Sequence, residues 1–226
     1  MTALLQLRRE QVVLLGAAAA VSAACWAWSV RAAAQMHHGA AVWPLFAMWA
    51  VMMAAMMIPP ELPSVLWLAR GPRLLAESAL FFAGYLLPWV AFSLGAASLH
   101  AVLQERGLVD HGMALAGRAV PAAILAAAGL CQLSPLKRAC LRRCRRVAAG
   151  EPARPPLLAG LASGLVSVGS CGVLMLVLFV TGVMSVPAMA ALTALLVLER
   201  VLPARMPVSG LAGALLLCAA AVRVLL

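Results

Sequence analysis

Long apolar runs separated by short polar breaks set the pattern of this chain. Apolar residues dominate 11–30, 41–66, 74–99, 113–133, 157–181, 186–199 and 207–226. A helix crosses a bilayer in roughly 17–25 such residues, and most of the runs approach that length. Backbone groups in hydrocarbon must be hydrogen-bonded within their own segment, so each run is expected to be helical. The pattern predicts an all-α, polytopic transmembrane bundle of about seven helices in a single domain, 1–226. The sixth run is the shortest and ends at Glu199. It fits either a tilted crossing or a segment that re-enters from the outer side. Short breaks predict that consecutive helices pack as neighbours. The longest break, 134–156, has two parts. Residues 136–147 read as a short basic amphipathic helix, and "AAGEPARPP" as its turn-rich exit. Leu133, Leu136, Cys140, Leu141 and Cys144 fall on one side and arginines cover the rest. This helix is expected on the inner membrane surface.

Composition agrees with the pattern. The 226 residues are 65% hydrophobic and 11% charged, with mean hydropathy +1.02. Soluble domains carry about 25% charged residues. The net charge of +10 sits in short breaks between apolar runs, which argues against a nucleic-acid partner. It follows instead from the excess of Lys and Arg in cytoplasmic loops. With the N-terminus cytoplasmic, thirteen Lys/Arg lie in inner positions, against Arg31, Arg106, Arg118 and Arg223 outside. The 134–156 break supplies seven of the thirteen, and the other six still exceed four. A re-entrant sixth run would move Arg200 and Arg205 outside and the C-terminus inside. The first run follows Arg8 and Arg9. It is longer than a signal core of about 7–15 residues and reads as the first transmembrane helix. Most of the six cysteines lie in or near the runs, which excludes a secreted disulfide scaffold.

Candidate chemistry lies in sulfur. In "MWAVMMAAMMIPPELP", Met48, Met52 and Met56 form one helical column and Trp49, Met53 and Met57 the next. Pro59, Pro60 and Pro63 should limit the regular helix. Pro59 removes the hydrogen bond to the Ala55 carbonyl, and that carbonyl needs another partner inside a membrane. Methionine packs irregular helix contacts, and its thioether also suits Cu(I). Spacing alone is compatible with both uses. Cys171 lies mid-run in "GLVSVGSCGVLM" and shares a face with Ser167 and Met175. Gly160 and Gly164 extend that face, as small residues do at close helix contacts. Cys140 and Cys144, four apart, form a candidate cytosolic thiol pair. His37 and His38 in "QMHHG" form a candidate outer entrance beside Met36, and Asp110 and His111 follow in the next outer loop. Glu61, Glu77 and Glu199 lie near one inner boundary. Carboxylates at membrane depth need water or a cation. Arg200 beside Glu199 suggests a local charge balance, and a shared metal or proton site is the sharper reading. Each of these features also has an ordinary structural reading.

Three ordered segments carry a family resemblance, from about Trp43 to Leu202. They are "WAVMMAAMMIPPELP"; "CQLSPLKRACLRRCR" with Gln132, Pro135, Lys137, Cys140 and Cys144; and "GLASGLVSVGSCGVLM" followed by "TGVMSVPAMAALTALLVLER". The third includes Gly164, Cys171, Met175, Gly182, Met184, Met189 and Glu199. The chain resembles the predicted metal-binding integral membrane proteins classed as a domain of unknown function, some of which are described as copper chaperones. The resemblance implies a multi-pass protein of a cell membrane, such as a bacterial inner membrane, that handles a soft metal. Relatives are richer in cysteine in the third segment, where this chain has Ser167 and Ser170. A hydroxyl is a poor soft-metal ligand. Weaker binding, a methionine-based site and a lost site are the alternatives this leaves.

Together these readings point to copper binding or delivery, with copper as Cu(I). The expected ligands are Met52, Met53, Met56, Met57, Cys171 and Met175, with Cys140 and Cys144 on the cytosolic side and His37 and His38 outside. Expected partners are the lipid bilayer, a membrane or metal-acceptor protein, and a second copy of the chain. Two other readings fit the same sequence. One is a structural or assembly subunit that packs through Gly160 and Gly164. The other is a small-solute transporter, although no inverted repeat or charged central pathway is evident. An enzyme is not expected, since no ordered Ser/His/Asp set, phosphate loop or HExxH is present. His100, at an outer helix end, reads as structural.

Overall fold

The computed structural model describes residues 9–35, 41–68, 74–110, 113–148, 155–183, 185–202 and 207–225. Among these the chain is all-α, with nine helices: α1 (Arg9–Gln35), α2 (Val42–Leu68), α3 (Leu74–Glu105), α4 (Ala119–Leu133), α5 (Pro135–Ala148), α6 (Pro156–Met175), α7 (Leu178–Thr181), α8 (Val186–Val201) and α9 (Val208–Leu225). Five helices are long and apolar enough to cross a membrane, or six if α4 and α5, bent by 60° at their junction, count as one broken span.

The expected seven runs differ from this in three places. The run 113–133 begins with a turn. Asp110 accepts the Ala114 amide on Oδ1 at 2.9 Å, Val109 bridges Leu115, and helix starts only at Ala119. The run 157–181 breaks after Met175, and its last turn, α7, ends at Gly182 with φ 91°. That backbone conformation favours glycine. The sixth run forms α8, only 16 residues or about 24 Å long. It is one continuous helix. Just before it, the Val183 amide reaches the Met113 carbonyl, while Arg200 near its end meets Glu61 on α2. α8 therefore lies alongside α2, between the turn at Met113 and Glu61.

α2 is the central helix, packed by α1, α3, α5 and α8. It runs unbroken through Pro59, Pro60 and Pro63, where the sequence suggested an ending. The carbonyl freed by Pro59 has found a partner: the Ser22 hydroxyl of α1 donates to the Ala55 carbonyl at 3.1 Å. A hydrogen bond from a neighbouring helix thus replaces the missing one.

Neighbours in space are often not neighbours in sequence. The most extensive helix contacts are α3 with α6 and α4 with α9. On α6, a Cβ added at Gly160 would lie 2.0 Å from the Phe81 carbonyl oxygen, and one at Gly164 would lie 2.4 Å from that of Tyr85. The reciprocal Gly84 Cβ would fall 2.1 Å from the Leu157 oxygen. The backbones approach this closely only because side chains are absent. The Gly160 and Gly164 face is therefore filled by α3 of the same chain, which removes it as a surface for a separate partner.

Candidate functional site

All eight methionines among the described residues are buried: Met48, Met52, Met53, Met56, Met57, Met113, Met175 and Met189. They belong to one apolar core together with Cys171. Both methionine columns of α2 are buried because that helix has neighbours on several sides. At one end this core is closed by α7. Phe179 lies against Trp49 with ring centroids 4.9 Å apart and 5.6 Å from His100, and its carbonyl accepts the Leu115 amide at 2.7 Å.

The other end is polar, and it gathers residues from seven helices. Lys137 on α5 is fully buried, with Nζ 2.8 Å from Glu199 Oε2 on α8. The same ammonium donates to the Ser170 carbonyl at 3.3 Å and lies 3.7 Å from Cys171 Sγ on α6. Glu199 Oε1 accepts from Gln132 Nε2 of α4 at 2.9 Å and from the Ser209 hydroxyl of α9 at 2.8 Å. The Ser170 hydroxyl sits 3.2 Å from Cys171 Sγ and donates to the Ser167 carbonyl at 3.0 Å. Beside this centre, Arg200 of α8 is paired with Glu61 of α2, which also accepts from Ser163 at 2.7 Å. Arg200 Nη2 lies 3.3 Å from Ser167 Oγ, whose own neighbour is the Tyr85 hydroxyl of α3 at 3.2 Å. Each buried carboxylate thus has a cation and hydroxyl or amide donors, as burial of charge requires.

Several expectations change here. Lys137 is a core residue, not a surface charge. The buried side of α5 carries Lys137 and half-buried Cys140, while Leu136 points outward. Glu199 is balanced by Lys137 and not by adjacent Arg200. Successive helical residues point about 100° apart, so the two side chains serve different partners. Glu61, Glu77 and Glu199 do not share a site. No group of three His, Cys, Asp or Glu side chains able to hold a metal exists among the described residues. Asp110 caps its own turn. Cys144 belongs to α5, but its side chain lies outside the described residues, as do His37, His38 and His111. The roles of Gln132, Lys137 and Ser209 were not recognised in the sequence. The signals present were the segment "CQLSPLK" of the family resemblance, which holds Gln132 and Lys137, and the demand of a buried Glu199 for a cation.

A family model described as a copper chaperone, PpoB2, matches residues 46–223. The chain belongs to the PpoB2 copper-chaperone family. That match covers all three segments that carried the resemblance. The family description is a chaperone's and not a catalyst's. No curated protein and no solved structure matches the chain. In the fold of this family member, the second and third segments meet physically. Gln132 and Lys137 come from one, and Ser170, Cys171 and Glu199 from the other. Glu61, from the first segment, joins next to them through Arg200.

As a donor set for copper, the buried interior is soft and neutral. Thioethers bind Cu(I) without adding charge to an apolar region. Cys171 is the one cysteine buried among the described residues, and its Sγ lies 3.7 Å from the Lys137 ammonium. Hard divalent ions would need several convergent oxygen or imidazole ligands.

Proposed function

We propose that this membrane protein carries Cu(I) as cargo through a thioether-lined interior and releases it at the ion-paired end. The supporting observation is that Met52, Met53, Met56, Met57 and Met175 are each at most 1% exposed and share one core with Cys171. Concentrating the methionines here gives soft, exchangeable ligands that can pass a weakly held ion from one to the next. By the charge-based orientation, the end holding Lys137, Glu61 and Glu199 faces the cytosol. Cys140, one turn beyond Lys137, and Cys144 then stand on the exit side as the donor pair to an acceptor protein. His37 and His38 stand on the entry side. The bacterial inner membrane is the compartment this assignment implies.

The test is Cu(I) titration of the purified chain in detergent against a competing chelator. Binding should weaken in Cys171→Ser and be lost when Met52, Met53, Met56 and Met57 are also changed to leucine. Stoichiometric binding that survives all five changes would remove the assignment.

A further inference from the structure

The chain has seventeen basic side chains, of which sixteen are arginine and one, Lys137, is lysine. That single lysine is the fully buried one. Its ammonium is held by a carboxylate oxygen, a carbonyl oxygen and a sulfur: Glu199 Oε2 at 2.8 Å, the Ser170 carbonyl at 3.3 Å and Cys171 Sγ at 3.7 Å. These atoms come from α6 and α8, whereas the lysine enters from α5. Next to them Gln132 is bonded to Glu199 through its amide nitrogen, and its own buried Oε1 has no partner among the described residues. An ammonium is a compact point charge, while guanidinium is a planar fork. The chain places the compact cation where oxygen and sulfur atoms converge.

We propose that Glu199, Cys171 and the Ser170 carbonyl form a cation site whose resting occupant is the Lys137 ammonium, and that a monovalent soft metal ion and this ammonium exclude one another there. The inference rests on the copper reading above and adds the exit site and its gate. Exchange of one unit charge for another leaves the buried charge unchanged. Exchange at constant charge and a sulfur ligand match the site to Cu(I) or Ag(I). Sulfur supplies the soft ligand and Glu199 the compensating charge. Lys137 sets the threshold for loading. When it withdraws, α5 loses the ion pair that ties it to α8, one turn before Cys140.

Two measurements test this, with Ag(I) as a redox-inert probe on the full chain in detergent. The first is amine acylation of wild-type protein read by mass spectrometry, where Lys137 offers the only lysine signal. Lys137 should be unreactive without metal and become acylated on Ag(I) loading. Equal protection in both states would overturn the proposal. The second compares Ag(I) affinity in Lys137→Gln and in Lys137→Gln/Glu199→Gln. The single change should tighten binding roughly tenfold or more, because it removes the ammonium that competes for Glu199, and the double change should abolish the gain. An unchanged or weaker affinity in Lys137→Gln, or a gain that persists without Glu199, would overturn it. Wild-type binding lost on replacing the methionines but indifferent to Lys137 would contradict this site alone. Absence of any binding by the wild type would contradict the copper reading itself.

Discussion

The Ser22 hydroxyl of α1 donates to the carbonyl of Ala55 on α2 across 3.1 Å, and this is the carbonyl that Pro59, four residues on, cannot serve. The bond explains how three prolines sit inside a continuous helix at the centre of the bundle. Ser22→Ala is expected to destabilise the protein by about 1 kcal/mol, within the range of hydrogen bonds between membrane helices. Pro59→Ala restores an intrahelical donor, so Ser22→Ala should cost less in that background. Thermal unfolding in detergent of the two single variants and the double variant measures the coupling. Additive effects would contradict this role for Ser22.

Loss of one partner of the Lys137 and Glu199 pair should be severe. Lys137→Met leaves a buried carboxylate and is expected to cost about 3–5 kcal/mol. Replacing both residues by methionine removes both charges and should be much milder. Arg142, exposed on the same helix, should tolerate alanine within about 0.5 kcal/mol. Chemical or thermal unfolding of these variants gives the ranking.

Close approach of α3 and α6 predicts a sharp contrast between two glycines on one helix. At Gly160 an added Cβ meets backbone 2.0 Å away, whereas at Gly169 nothing lies within 4 Å. Gly160→Ala should separate the helices and destabilise by about 1–3 kcal/mol or more, while Gly169→Ala should be neutral or slightly stabilising. Yield and melting temperature in detergent are sufficient readouts.

Much of the fold was legible because bilayer chemistry writes it in long apolar runs, and the positions of α1, α2, α3, α6 and α9 follow those runs. The break after Met175 left no polar mark, since "LVLFV" continues the apolar run across it. Only Gly182 hinted at an irregular end. Pairings of α3 with α6 and α4 with α9 were hidden for a different reason. Loop length favours consecutive neighbours, but glycines on distant helices offered closer contact. The candidate site was legible by residue type and not by arrangement. The methionines and Cys171 were visible as soft ligands, and Glu199 as a carboxylate in need of a cation. Counting charges by loop assigned Lys137 to the surface, because such a count cannot distinguish a side chain facing water from one turned into the bundle. The partner of Glu199 comes from a segment more than sixty residues away, and nothing local in the chain specifies it.

X-ray absorption at the copper edge of the Cu(I)-loaded chain bears most directly on a thioether-lined copper path. The account predicts a first coordination shell dominated by sulfur that is lost when Met52, Met53, Met56 and Met57 become leucine and Cys171 becomes serine. A shell of nitrogen and oxygen alone, or sulfur scattering that persists through those five changes, would contradict it.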